Sequence, residues 1–287
     1  MRTYLECLPC LLRQAVEASK MATDDERLRH TVVKAVLREL QSASLDARPV
    51  DIAPRIHALV RDIAGCEDPY RELKAESNKT ALRAYPKAAQ LAAAAPDPFL
   101  AAAKLAAAGN VADAAIGKVF DFAAAIDKAM NRRFTIDHYA DLQGALAQAD
   151  HVLYLADNAG EIVFDRLLLE RLLPRRITLA VKGHPLLNDA TVEDAESLGL
   201  RELAALIPTG DGWPRPDLAD ASSDLRRAFR EADVIIAKGQ ANYEALSESA
   251  DGIFFLLLVK CETIARDLGV SVGDLILKNA RHDGNDV

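Results

Sequence analysis

The sequence predicts an α/β protein, with a helical N-terminal domain over residues 1–148 and an α/β domain over 149–287 built on a mostly parallel sheet. Two observations predict it. Up to about Asp150, apolar residues recur at three- and four-residue steps, the period of a helix. Beyond Asp150, four short apolar runs (152–156, 177–181, 234–237 and 253–259) are separated by segments of helical pattern. Strands alternating with helices argue for a parallel sheet with right-handed crossovers and helices on both faces. Half of the residues are apolar, enough for a sizeable core. Scarce aromatics and abundant alanine favour close helix packing over a β-sandwich.

Taken in order, the first helical stripe is Leu5, Leu8, Leu11, Leu12, Ala15 and Val16. A second is Val32, Val33, Val36, Leu37 and Leu40, and a third Ile56, Leu59, Val60 and Ile63. Asp51 to Pro54 reads as a helix start, since proline is tolerated in a first turn. The alanine-rich stretch 91–108 is interrupted by Pro96-Asp97-Pro98 and reads as two helices joined there. After Asp150 come the four strand candidates, with a weaker fifth at Ala205–Ile207. Pro208 to Pro216 is a Gly/Pro loop, read as an ordinary surface loop rather than a lid. The tail after Arg281 is polar and expected to fray.

Composition narrows the function. A formal charge of −8 argues against a nucleic-acid binder, which normally carries a basic face. No stretch reads as a membrane span: Ile253–Val259 is far shorter than the roughly 20 apolar residues a spanning helix needs. The first residues lack the apolar centre of an export signal, so the expected location is cytoplasmic and the four cysteines are expected to be reduced. Cys7 and Cys10 have the spacing of a redox pair or half a zinc site. With no second such pair in the chain, they read as two packed helix cysteines.

The chemistry gathers at the strand ends. The first strand is followed by Asp157, Asn158 and Glu161, the second by Lys182, Gly183, Asn188 and Asp189. The third leads into Lys238, Gly239, Asn242 and Glu244, and the fourth into Lys260. In a parallel sheet all carboxyl ends lie along one edge, where open α/β sheets bind ligands. Carboxylates and amides suit a hard cation, lysines suit an anion, and glycines let backbone come close. A metal-bound phosphate fits this set better than a sugar or a peptide, with Lys182 and Lys238 expected beside Lys260 on the phosphate and Glu161, Gly239, Asn242 and Glu244 on the substrate side. Each piece also has a plainer reading: Asp157-Asn158 and Asn188–Thr191 as helix starts, Lys182 and Lys238 as solvated strand-end lysines. Lys260 is sharper, because it directly follows a very apolar run where an unneeded charge would be costly if buried.

These motifs resemble the DUF89 family of metal-dependent phosphatases, also called damage-control phosphatases. The matching stretches are Asp157-Asn-Ala-Gly-Glu161, Lys182 to Thr191, Lys238-Gly-Gln-Ala-Asn-Tyr-Glu244 and Lys260-Cys261. In the helical half they are Cys7-Leu-Pro-Cys10 with Gln14, Asp68-Pro-Tyr70 with Lys74 and Asn78, and Gly109-Asn-Val-Ala-Asp113. The N-terminal cysteine pair resembles the branch common in archaea and bacteria. The fold implied is a helical N-terminal domain packed on a Rossmann-like three-layer α/β/α domain. The resemblance further implies one divalent metal (Mn, Mg, Co or Ni) held by Asp157, Asn158 and Asp189. It implies a phosphate contact at Lys260, entry of Asn110 and Asp113 from the helical half, and Asn242 and Glu244 at the substrate border. The substrate class implied is a small phosphorylated metabolite, such as a sugar phosphate or a nucleotide-related compound.

Two other classes compete. One is a binding module that holds a phosphorylated ligand without turnover. The other is a methyltransferase on a Rossmann-like sheet, against which stands the absence of a Gly-x-Gly pattern in the first turn. For a phosphatase, the attacking group is water or Asp157 itself. Asp-Asn-Ala-Gly-Glu departs from the Asp-x-Asp-x-Thr signature of the haloacid dehalogenase phosphatases, which favours water.

Overall fold

The computed structural model describes residues 1–281 apart from 110–121, 211, 215–216, 220 and 250–251. Five helices come first: α1 (Cys7–Ala22), α2 (Glu26–Ser42), α3 (Pro49–Ala64), α4 (Arg71–Ala94) and α5 (Pro98–Ala108). Next are α6 (Phe122–Met130), β1 (Phe134–Asp137), α7 (Tyr139–Leu146), β2 (His151–Leu155), α8 (Glu161–Leu172), β3 (Arg176–Val181) and α9 (Val192–Ser197). The chain continues through β4 (Ala205–Pro208), α10 (Ser223–Glu231), β5 (Val234–Lys238), α11 (Gly239–Leu246), β6 (Ile253–Leu258), α12 (Glu262–Leu268) and β7 (Leu275–Asn279). Among the described residues no helix is long and apolar enough to cross a membrane.

The strands form one sheet in the order β1-β7-β6-β5-β2-β3-β4. All neighbours run parallel except β6 and β7, which are antiparallel. The expected α/β class with a mostly parallel sheet is thus the observed one. Two strands escape the sequence reading. β1 reads Phe-Thr-Ile-Asp, an edge strand too short and too polar to stand out. β7 offers only three apolar residues before Lys278. Since β1 pairs with β7, residues 134–137 belong to the sheet although they precede residue 149.

Alternation along each strand sends successive side chains to opposite faces. On β2, Val152 and Tyr154 join a core with α4, α5, α6, α7, α8 and α9. Leu153 and Leu155 join the other core, with α1, α2, α3, α10, α11 and α12. The helical half of the chain therefore supplies cover to both faces of the sheet.

Helix boundaries follow local chemistry. α4 ends at Ala94 and α5 begins at Pro98, as the Pro-Asp-Pro break requires, with the Asp97 carboxylate accepting from Leu100 N–H. α3 begins at Pro49 rather than near Asp51, so the expected start is corrected by two residues. Proline at the first helical position needs no N–H partner, and Asp51 accepts back from the Arg48 N–H at 3.4 Å.

On α3, His57 is buried edge-on against Tyr70 with ring centroids 6.2 Å apart. Burial, aided by Arg61, pushes its imidazole down from 6.5 to about 4. Unfolded His57 takes a proton near 6.5 and folded His57 only near 4, so its contribution is complete above 6.5 and is lost as pH falls through that window. Urea denaturation should show wild type losing about 3 kcal/mol more stability than His57→Leu between neutral pH and pH about 4. Equal pH slopes for the two proteins would contradict this.

Candidate metal and phosphate site

The four strands whose ends carry the motifs are consecutive neighbours, β6-β5-β2-β3. Leu155 of β2 pairs with Ala180 of β3 on one side and Ala237 of β5 on the other. Two residues past those partners stand Asp157, Lys182 and Gly239, at one height above the sheet. The chain leaves β2 toward β3 and β4, then returns to start β5 and β6 on the other side. That reversal opens a crevice between β2 and β5 at their carboxyl ends, where open sheets take ligands.

Beyond the sheet the first two turns are stitched together by backbone. Ala156 N–H donates to the Ala180 carbonyl at 3.0 Å, Ala190 N–H to the Asp157 carbonyl at 2.8 Å, and Ala159 N–H to the Asn188 carbonyl at 2.9 Å. Asn158 and Asp189 form an antiparallel bridge. Asp157, Asn158 and Asp189 thus stand side by side, all buried. Leu187, just before Asn188, adopts a left-handed φ of 50° that side-chain-bearing residues rarely adopt, and the stitched loop holds it there.

Lys182 lies at the same edge, buried, with Nζ 3.5 Å from Asp189 Oδ2 and 4.9 Å from the centre of the Trp213 ring. Burial pushes its ammonium below the usual lysine value, and the Asp189 and Asp157 carboxylates pull it back up. Trp213 comes from the Gly/Pro loop after β4. That loop is anchored over the site by one buried indole.

Gly239 has a φ of +76°, and a methyl group added there would overlap the Asp157 carboxylate. Glycine is thus required twice at this position, for the backbone and for the acid. Gly160, at φ +81°, lies against Ser77 of α4, and its N–H donates to Asn78 Oδ1 at 2.6 Å. Asn78 Nδ2 donates to Asp194 at 3.0 Å, and Lys74 is paired with Asp68 at 2.9 Å and Asp194 at 3.4 Å. Read from sequence alone, Lys74 and Asn78 suggest a solvated face. Both are buried and tie α4 to the turns after β2 and β3. With Thr191 and Asp194 they line a groove of about 680 Å³ between α4 and α9.

Several expected substrate-side residues are put to other use. Lys238 has no exposed side-chain surface, and its ammonium donates to Glu161 Oε1 at 2.6 Å, Asp165 Oδ1 at 2.5 Å and the Ala106 carbonyl at 3.0 Å. All three ammonium protons are used, leaving none for a phosphate. Burial opposes the charge, but the two carboxylates outweigh it and hold the ammonium above the usual lysine value. Burial pushes Asp165 up to about 6 against the pull of Lys238. Glu161 is equally buried. Asn242 Nδ2 donates to the carbonyls of Ala156 at 3.1 Å and Lys238 at 2.8 Å, clamping the β2 and β5 ends together.

Glu244 is half-buried on α11, and burial pushes its carboxyl up to about 8, with the N-terminal ammonium pulling down and Asp267 pushing up. Lys260 is half-exposed at the end of β6, and its backbone N–H donates to Gln240 Oε1. Asn110 and Asp113 lie outside the described residues. Cys7, Cys10, Cys66 and Cys261 are free. Cys7 and Cys10 sit in the first turn of α1, and burial pushes the Cys7 thiol up, away from reactive thiolate.

Among the described residues no three His, Cys, Asp or Glu side chains form a cage for a metal. The set present is leaner: two carboxylates and one amide, all hard oxygen donors. That chemistry fits a divalent cation that completes its shell with water and substrate phosphate rather than with protein alone.

Comparison with known proteins agrees with the fold and with the family that the sequence resembles. The sequence profile of the damage-control phosphatase ARMT1-like domain matches residues 3–276. A protein named damage-control phosphatase from Archaeoglobus fulgidus is 37% identical over 288 residues, covering 95% of this chain and 97% of its own. A second so named, from Pyrococcus horikoshii, is 34% identical, with 96% and 97% covered. The crystal structure of a DUF89 family protein from Pyrococcus horikoshii superposes with a TM-score of 0.88 at 33% identity, covering 98% of this chain and 99% of that one. The class defined by fold and profile is that of the damage-control phosphatases. The chain belongs to the ARMT1-like, or DUF89, family.

Two substitutions test the geometry. Gly239→Ala is expected to lose about 1–3 kcal/mol more than Gly199→Ala, which shares a positive φ of +70° but has open space around it. Paired urea melts measure the difference, and equal losses would mean that Asp157 does not fill the space above Gly239. Lys238→Met should lower stability by about 3–5 kcal/mol, because Glu161 and Asp165 would be left buried without a counter-charge. A loss below about 1 kcal/mol would show that the triad is not closed in solution.

Proposed function

We propose that the chain is a metal-dependent phosphomonoester hydrolase acting on small phosphorylated metabolites, sugar phosphates or nucleotide-related phosphates, in metabolite damage control. The observation that carries the reading is the meeting of Asp157, Asn158 and Asp189 at the crevice between β2 and β5. These three would hold one divalent cation: Mn²⁺, Mg²⁺, Co²⁺ or Ni²⁺. Such an ion, when bound, supplies Lewis-acid neutralisation of phosphate charge.

The protein's own groups do the rest. Lys260, half-exposed at the same edge, binds the phosphate and offsets charge as it builds in the transition state. Lys182 stays beside Asp189 and balances the buried acids. Asn110 and Asp113 are proposed to complete the substrate side from the helical half. Water is the attacking group: its oxygen bonds to phosphorus as the ester P–O bond breaks, and the alcohol leaves with a proton. Asp157 is better suited to hold a cation than to attack, since its carboxylate is pinned by the Asn158 amide at 2.7 Å and by the close Gly239 turn.

The test is release of p-nitrophenol from p-nitrophenyl phosphate with each of the four cations. Asp157→Ala and Asp189→Ala should each lower kcat/KM by more than about 100-fold, because even outer partners of metal ligands cost 10–100-fold. Lys260→Ala should lower kcat by about 10²–10³, the usual loss on removing one group that stabilises transition-state charge. A well-folded Asp157→Ala protein with wild-type turnover would sink the assignment. Binding of a phosphorylated ligand without release under any cation would favour the binding-module reading instead.

A further inference from the structure

Glu161 is buried with no exposed surface, one residue into α8, and faces the candidate ligand Asn158. Its Oε2 accepts from Asn158 Nδ2 at 3.4 Å and lies 3.5 Å from the Asn158 backbone N–H, and its Oε1 accepts from Lys238 at 2.6 Å. Asn158 Nδ2 donates a second time, to Asp157 Oδ2 at 2.7 Å. An ionised carboxylate only accepts, so a side-chain amide between two of them must offer both its nitrogen protons. Turning the amide over would aim its oxygen at two negative oxygens. The direction of Asn158 Oδ1, away from both acids, is therefore set by chemistry rather than by a choice between look-alike atoms.

From this we infer that Glu161 is a positioning residue for the cation site. It does not meet the phosphate. It holds Asn158 with the amide oxygen presented to the cation, and Lys238 holds Glu161 in its turn. The chain of contacts runs on beyond Lys238: Asp165 Oδ1 takes the ammonium at 2.5 Å and the Tyr154 hydroxyl at 2.8 Å. Tyr154 is on β2, Lys238 on β5 and Asp165 on α8, so the orientation of one amide is anchored in two central strands and a helix. The inference rests on the reading of Asp157, Asn158 and Asp189 as cation ligands.

The decisive substitution is Glu161→Gln, which keeps the shape of the side chain. The carbonyl of the new amide would still accept from Lys238, which turns its NH₂ toward the NH₂ of Asn158. No orientation of Asn158 then satisfies both neighbours, and turning toward the new amide takes its oxygen from the cation. A second substitution separates loss of the acid from reversal of the amide. Glu161→Ala offers Asn158 no competing donor, so its NH₂ keeps Asp157 Oδ2 and its oxygen loses a restraint without being turned.

Mn²⁺ affinity by isothermal titration calorimetry and the melting temperature of the metal-free protein are measured for wild type and both variants. Glu161→Gln is expected to bind Mn²⁺ about 10–100-fold more weakly, the usual loss for an outer partner of a ligand, while its metal-free melting temperature stays near wild type. Glu161→Ala is expected to weaken Mn²⁺ binding by about 10-fold, the low end of that range, and so less than Glu161→Gln. Wild-type affinity in Glu161→Gln overturns the positioning role alone. So does a lowered melting temperature with undiminished affinity, the mark of a purely structural acid. Failure of wild type itself to bind Mn²⁺ overturns the ligand reading and this inference with it. Should Glu161→Gln fail to fold, Glu161→Ala decides, and a folded Glu161→Ala protein with wild-type Mn²⁺ affinity overturns the proposal.

Discussion

The parallel pairing of β2 with β5 is the constraint on which the rest of the molecule turns. It sets Leu155 beside Ala237, and so Asp157 beside Gly239 two residues further on. A slip of one residue would exchange the faces of the strand and lay a side-chain-bearing residue against the acid. The register of β2 with β3 puts Lys182 level with both. Everything at the candidate site is arranged around this fixed height: the stitched turns, the Asn242 clamp, and the α4 asparagine that takes the Gly160 N–H.

Beneath that edge lies a group of charges that a core would normally exclude. Two carboxylates and one ammonium, none with exposed side-chain surface, share short bonds at the joint of β5, α8 and α5. Such a group is a weak source of stability, since desolvation offsets most of the attraction. Its value is directional. An apolar joint of the same volume would close the core as well, but it could not tell the two ends of an amide apart. Retaining a net negative joint directly below a turn rich in acids also favours a cation above it over an empty crevice.

How legible this was depends on the kind of signal. The central strands were readable because buried parallel strands are continuous apolar runs, as in Val234–Ala237 and Ile253–Val259. β1 and β7 were not, being short and edged with polar residues. Gathering of strand-end residues followed from parallel topology alone, which brings Asp157 and Asp189 together across the sequence. The destination of each lysine did not. Lys182 and Lys238 both stand at a strand's carboxyl end and precede a glycine, yet one stands by the acids at the edge and the other lies sealed inside. What separates them is Asp165, which in sequence looks like an ordinary acid on the wet side of a helix. Its hidden position comes from α5 and α4 packing over α8, a tertiary fact with no local mark. Trp213 is similar: a lone indole in a Gly/Pro loop gives no sign that it covers Lys182.

α5 carries a consequence of its own. Nearly every residue from Ala101 to Ala108 is buried, and the helix ends at Gly109 with Phe164 and Glu161 of α8 close against it. With Lys104 its one charged residue, and that half-buried, the helix has little face to offer water. On a ribosome it emerges well before α8, β6 and β7, the elements that enclose it. Until those arrive, this greasy rod must shelter in a provisional hairpin with α4 or in a chaperone's grip. A stretch that finishes deeply interred is therefore, for part of every synthesis, open to self-association.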